Sequence, residues 1–282
     1  MQSLTMTKDL FQNPRFSCAH TVIQEAGTLA IKFFHDVRSL TIEQKSNEQD
    51  LVSIADKSVE KLIREKILHT FPEDGFLGEE EGLKDGKSGY IWVVDPIDGT
   101  SPFLRGMREW SISIALVKNG ETELGLIFIP CEKELFYAVK NKGAFMNEIP
   151  ISVDKKRTLR NGNIGIGLNT NIPYHVMPHF GLRLMEKGAQ FFRCGSAAIT
   201  LAYVSCGRLL GYYEPQINSW DCMAGLCLIR EAGGWTEGYS THDSLTDPMP
   251  IAAGSLQVKK ELLDVIQISR RESDLSEFKT YS

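Results

Sequence analysis

Between Ile91 and Val139 the chain carries four short apolar runs separated by turn residues, and this pattern restricts its fold more than any other feature. Ile91, Trp92, Val93 and Val94 form the first run, rich in β-branched and aromatic types. Ser111 to Val117 alternates polar and apolar residues, and Leu124 to Ile129 and Leu135 to Val139 supply the other two. Asn119-Gly120 and Asn141-Lys142-Gly143 provide turn chemistry. The spacing predicts a largely antiparallel sheet over about residues 90–150.

Two amphipathic helices precede that sheet. One is predicted from Ala19 to Val37, with Ile23, Ala26, Ala30, Phe33 and Phe34 at helical spacing, after a loose N-terminal arm. A polar, hairpin-like stretch ending at Asp50 follows. The second helix starts near Ser53 or Asp56, carries Val59, Leu62, Ile63 and Ile67 on one face, and stops at the FPEDG segment. The second half opens with the run Ile164–Leu168, is interrupted by Pro173 and Pro178, and has a helix near 179–187. A helix over Ser196–Ser205, a strand over Leu209–Tyr213 and an apolar helix over Asp221–Ala232, ended by Gly233-Gly234, complete it. Such alternation belongs to the α+β or mixed α/β class, helices layered on sheets. A soft boundary near 150 divides an N-terminal α+β half, 1–150, from a C-terminal α/β half, 151–282, within one compact unit.

Composition narrows the function classes. A net charge of -5 gives no global basic field, which argues against general nucleic-acid binding. No run approaches the roughly 18 apolar residues of a membrane span. The N-terminus lacks an apolar signal core, so a cytoplasmic protein with reduced thiols is expected from its six cysteines, which form no CxxC pair. The six histidines show no zinc-binding spacing.

The chemistry concentrates in IWVVDPIDGT, residues 91–100. A buried strand is predicted to end at Asp95, with Pro96 turning the chain, Asp98 three residues on, and Gly99-Thr100 opening a helix. Two carboxylates at the exit of a rigid strand can face one point, and carboxylate and carbonyl oxygens suit a hard cation such as Mg²⁺. Amides at a helix start attract a phosphate oxygen, and glycine allows close approach. The bare pattern is equally a strand, an Asx-turn and a helix cap. By itself LGEEEG, residues 77–82, is a solvated acidic loop, and Asp221, at the head of its helix, is an N-cap. The KDGKSG run, 84–89, reads as a surface loop, and RRESDLSEFK, from Arg270, as a solvated tail.

Taken together, DLVSIADKSVE (50–60), LGEEEG (77–82), WVVDPIDGT (92–100), GSAA (195–198), YYEPQINSWD (212–221) and AGLCLIREAGG (224–234) resemble the inositol monophosphatase family of Mg²⁺-dependent, lithium-sensitive phosphomonoesterases. The match runs over about residues 45–255 in the family's order. It implies a layered α/β/α/β/α sandwich, a homodimer, a small phosphorylated alcohol as substrate, and two or three Mg²⁺ ions per site. It also implies metal ligation by Glu79, Asp95, the Ile97 carbonyl, Asp98 and Asp221, with Asp95 bridging two ions. Thr100, with Glu79, would orient the metal-activated water, and the Gly99 and Thr100 amides would hold the phosphate. Gly195, Ser196, Ala197 and Glu214, with Asp98 and Asp221, match positions that contact substrate; Asp56 matches an acid behind the site. Glu80 adjoins the set.

The sequence departs from the family at Ser101-Pro102, where Thr or Lys and then Asn are common, at Asn218-Ser219, where His and Cys are common, and across 160–180. Those departures bear on the substrate. Inositol 1-phosphate leads, with histidinol phosphate, 3′-phosphoadenosine 5′-phosphate and fructose 1,6-bisphosphate as alternatives, and a partner-binding role as a further one.

Overall fold

A computed structural model of the chain describes residues 9–37, 42–44, 51–168, 176–239 and 244–277. Most of the hairpin-like stretch before Asp50, Pro173 and the last residues of the predicted tail lie outside them.

Helix α1 (Pro14–His35) begins earlier than its apolar periodicity predicts. The Asn13 side chain accepts from the amides of Arg15 and Phe16, and Pro14 suits the first helical position, so the start is set by a cap and not by the apolar face. Strands β1 (Ile42–Gln44) and β2 (Leu51–Ser53) pair antiparallel. Helix α2 (Ile54–Thr70) follows directly, because Ser53 caps it and Asp56 returns a bond to the Ser53 amide at 2.8 Å.

Eight strands form the larger sheet: β3 (Gly75–Gly78), β4 (Gly82–Lys84), β5 (Tyr90–Asp98), β6 (Ser111–Lys118), β7 (Glu121–Ile129), β8 (Glu134–Val139), β9 (Ala144–Met146) and β10 (Ile149–Ile151). Their order is β10-β9-β8-β7-β6-β5-β3-β4. Every neighbouring pair is antiparallel except β3 with β5, which is parallel. A short helix, α3 (Thr100–Leu104), joins β5 to β6. The smaller sheet has order β12-β11-β13-β15-β14, from β11 (Asn163–Ile166), β12 (Gln190–Phe192), β13 (Gly211–Ile217), β14 (Trp235–Glu237) and β15 (Met249–Gly254). Helices α4 (Val176–Glu186), α5 (Ala197–Ser205), α6 (Ser219–Glu231) and α7 (Lys259–Glu277) complete the chain.

These elements stack in five layers. Helices α1 and α2 cover one face of the larger sheet, α5 and α6 lie between the two sheets, and α4 and α7 cover the outer face of the smaller one. The layering explains why β6, SISIALVK, is buried along nearly its whole length in spite of its alternation. Both its faces meet helices, so its serines must find partners in the interior. Three apolar clusters fill the spaces between the layers, and the middle one, on both sides of α5 and α6, joins Leu77 and Val93 to Leu201, Tyr212 and Leu226.

Several sequence expectations shift. Pro178 does not interrupt α4 but sits in its first turn, where a missing amide breaks no helical bond. The predicted tail beyond Arg270 continues helix α7 as far as Glu277. The 84–89 loop is pinned, since Lys87 and Ser88 donate to the Glu73 carbonyl at 2.7 and 2.9 Å. It adjoins the Tyr90 end of β5, on the order of 15 Å along the strand from Asp95.

Candidate active site

Asp95 and Asp98 are three residues apart on β5, and a regular pleat would send their side chains to opposite faces. The register with β6 shows how they share one. Asp95 pairs with Ser113 and Asp98 with Ser111, so β5 carries one extra residue between them. That bulge restores the parity, and Pro96 is tolerated there because a bulge gives up ladder bonds. The strand therefore does not end at Asp95, as its Pro96 suggested, but runs on to Asp98. Asp95 closes the bulge by accepting the Ile97 amide at 2.9 Å.

Gly99 then takes φ 93°, and a Cβ there would come within 2.8 Å of the Glu109 carbonyl oxygen. Only glycine passes easily through that turn. Thr100 follows, its hydroxyl 3.1 Å from both the Ile97 carbonyl and the Asp56 carboxylate. The single hydroxyl proton therefore goes to one of these two acceptors, and Asp56 is held in place by its own capping box.

The head of α5 is folded onto Asp98. The Ser196 hydroxyl and the Ala197 and Ala198 amides donate to its carboxylate, the amides at 3.3 and 2.7 Å, and Ser111 reaches it at 3.4 Å. Ser196 and Ala197, which the family resemblance implies as substrate contacts, donate these bonds to Asp98, while Gly195 turns the chain beside Pro102 with φ 88°.

Asp221 does not cap α6; Asn218 holds that position and Asp221 stands third in the helix. Ser113, the register partner of Asp95, donates to the Trp220 carbonyl at 3.0 Å and so ties the first turn of α6 to the sheet. As a result one carboxylate oxygen from each of Asp95, Asp98 and Asp221 lies within 4.8 Å of the others. Glu79 enters from the turn after β3, where its amide donates to the Val94 carbonyl at 3.2 Å. Its charge bears on all three aspartates.

Burial and mutual repulsion raise the proton affinity of this group. Asp98 is pushed up to about 6, chiefly by burial, against the opposing bonds from Ser196, Ala198 and Ala197. Burial first, then the neighbouring carboxylates, hold Asp95 and Asp221 well above the usual range. Glu214, on β13, is buried and pushed up to about 7, its carboxylate bonded by the Tyr212 hydroxyl beneath Gly167. A Cβ on Gly167 would sit 2.1 Å from that carboxylate.

Buried oxygens of like charge at such spacing fit a hard divalent cation, which would relieve their repulsion. The sequence had not singled out Ser111, Ser113 or Glu60. Serines on a buried strand were a signal for the first two, and a glutamate on the apolar face of α2 for the third.

Comparison with known proteins agrees with this geometry. The family model described as inositol monophosphatase family matches residues 12–270. The chain is 36% identical to the Nus factor SuhB of Pasteurella multocida, over 90% of this chain and 96% of that protein. It is also 36% identical to an inositol-1-monophosphatase of Rhizobium meliloti, over 86% and 92%. Among solved structures, an IMPase of Thermotoga maritima superposes with TM-score 0.82 at 28% identity, covering 92% of this chain and 99% of that one. The extragenic suppressor protein suhB of Bartonella henselae reaches 0.83 at 30% identity, covering 89% and 97%. A match along nearly the whole chain, in a five-layer fold whose acidic motifs meet at one point, leaves one conclusion: this chain belongs to the inositol monophosphatase family.

Proposed function

We propose that the protein is a Mg²⁺-dependent phosphomonoester hydrolase, and that its substrate is inositol 1-phosphate or a similar polyol monophosphate. The observation that carries the reading is the meeting of Asp95, Asp98 and Asp221 within 4.8 Å beside Glu79 and Thr100. Relatives named inositol-1-monophosphatase support the substrate class.

In this reading Glu79, Asp95, Asp98, Asp221 and the Ile97 carbonyl hold two or three Mg²⁺ ions. Mg²⁺ there supplies Lewis acidity, drawing charge from the phosphoryl oxygens and making water a better nucleophile. Thr100, its proton committed to Asp56 or Ile97, presents a lone pair to the attacking water, and Glu79 helps to orient that water. The Gly99 and Thr100 amides hold the phosphate, and Gly195, Ser196, Ala197 and Glu214 border the alcohol. Ser196 and Ala197 act there through Asp98, which they orient. Attack is in line, with no phosphoenzyme. A homodimer in the cytoplasm and sensitivity to lithium belong to the same reading; no described helix is long and apolar enough to cross a membrane.

Relatives named Nus factor SuhB favour a second reading, a partner-binding role that does not depend on catalysis. Phosphate release from inositol 1-phosphate, histidinol phosphate, 3′-phosphoadenosine 5′-phosphate and fructose 1,6-bisphosphate, with Mg²⁺, with added lithium and with chelator, tests the first reading. Mg²⁺-dependent turnover fastest on the inositol ester is expected. No turnover of any ester would sink the hydrolase reading and leave the partner-binding one.

A further inference from the structure

Glu60 stands on the apolar face of α2, with no exposed surface at all. Its two carboxylate oxygens accept the amides of Glu80, at 2.8 Å, and Glu81, at 3.0 Å. Arg64, one turn along, donates to the same carboxylate at 3.1 Å and to the Gly82 carbonyl at 3.3 Å. Gly78 lies so close above that a Cβ there would be 2.3 Å from the Glu60 carboxylate. The turn after β3 is therefore wrapped around one interior anion.

The opposite side of that turn is fixed as well. The Glu79 amide donates to the Val94 carbonyl, one residue before Asp95. The backbone of Glu79 is thus held between β5 and Glu60, while its charge acts on Asp95, Asp98 and Asp221. A turn of three successive glutamates would otherwise spread toward water, because like charges repel and backbone amides are readily solvated.

We propose that Glu60 is a positioning residue for metal binding. By gathering the Glu80 and Glu81 amides onto one buried carboxylate, it aims Glu79 at the aspartate cluster. The proposal rests on the metal reading above.

Mn²⁺ binding, followed by the electron paramagnetic resonance of the free ion, tests it on the full chain without any turnover. Four proteins are compared: the parent, Glu60→Gln, Glu79→Gln and the double variant. Glutamine keeps the shape of Glu60 but replaces one acceptor by a donor, which opposes one of the two amides. Glu60→Gln is expected to weaken Mn²⁺ binding about tenfold. In the Glu79→Gln background the same change should alter affinity by about twofold at most, because the ligand it aims is gone. Unchanged affinity in Glu60→Gln, or an equal loss in both backgrounds, would overturn the positioning role. A parent that binds no Mn²⁺ would overturn the metal reading and the positioning role together. Should circular dichroism show Glu60→Gln to be misfolded, Arg64→Met takes its place in the cycle. Loss of affinity confined to the background with Glu79 intact supports the role, and any other pattern ends it.

Discussion

At the residue scale, Asp95 is buried, accepts the Ile97 amide and faces the charges of Glu79, Asp98 and Asp221. Asp95→Asn removes a charge that a bound cation would need and that the metal-free protein is strained to hold. Lost Lewis-acid stabilisation of several kcal/mol corresponds to a fall in kcat of about 10³-fold or more. The melting temperature in chelator should stay level or rise, and phosphate release with calorimetry checks both. Glu214 has an ordinary value of 4.5 and is pushed up to about 7 in the fold by burial. An acid raised by folding binds its proton more tightly in the native state, so stability falls as pH rises from 4.5 through 7. Glu214→Gln abolishes that loss. The metal-free variant should match the parent near pH 4.5 and exceed it at pH 8 by up to about 3 kcal/mol, read from urea unfolding at both pH values. An identical pH profile for the two proteins would contradict this.

At the scale of elements, the bulge in β5 and the turn at Gly99 act as one device. The bulge turns Asp98 to the face of Asp95, and Gly99 at φ 93° swings the chain so that Thr100 meets Asp56. Gly99→Ala forces a side chain into the left-handed region and against the Glu109 carbonyl. A destabilisation of roughly 1–3 kcal/mol is expected by denaturant titration, with turnover lost beyond what the unfolded fraction explains. Turnover that simply tracks the folded fraction would sink the idea that this turn aims Thr100. Little of the device was legible in advance. Pro96 and Gly99 signal a break in the chain, but whether a break is a turn or a bulge depends on the partner strand, here Ser111 and Ser113 of β6. The caps were more legible, because Ser53 and Asp56 find each other within a single turn of helix.

At the scale of the whole molecule, the acidic cluster lies where the larger sheet meets the helices between the sheets. Glu79 comes from the turn after β3, Asp95 and Asp98 from β5, and Asp221 from α6. A cation that binds only the folded arrangement stabilises it by mass action. Mg²⁺ at about 100 times its Kd adds about 2.7 kcal/mol. That corresponds to a rise of roughly 5 °C in Tm for a chain of this size. Scanning calorimetry should show the rise in the parent and lose it in Asp95→Asn. An equal rise in both proteins would mean that Mg²⁺ acts elsewhere.

The sequence by itself determined the local conformations and the chemical repertoire. Apolar periodicity and Gly, Pro and Asn turns set most helices and the strands β5 to β8, β11 and β13, and the motifs around Glu79, Asp95, Asp98, Thr100 and Asp221 marked the acids and the hydroxyl. Such signals work within a turn or a strand, where neighbours along the chain are neighbours in space. Tertiary structure alone decided the short strands β3, β4, β9, β10, β12 and β14, which are too brief for periodicity and hold their shape through pairing. It also decided that Ser196 and Ala197 turn to Asp98, and that Glu60 anchors the turn bearing Glu79. Those contacts join segments twenty to a hundred residues apart. They form only because burying apolar surface between the layers brings the segments together, and interior polar groups must then satisfy one another.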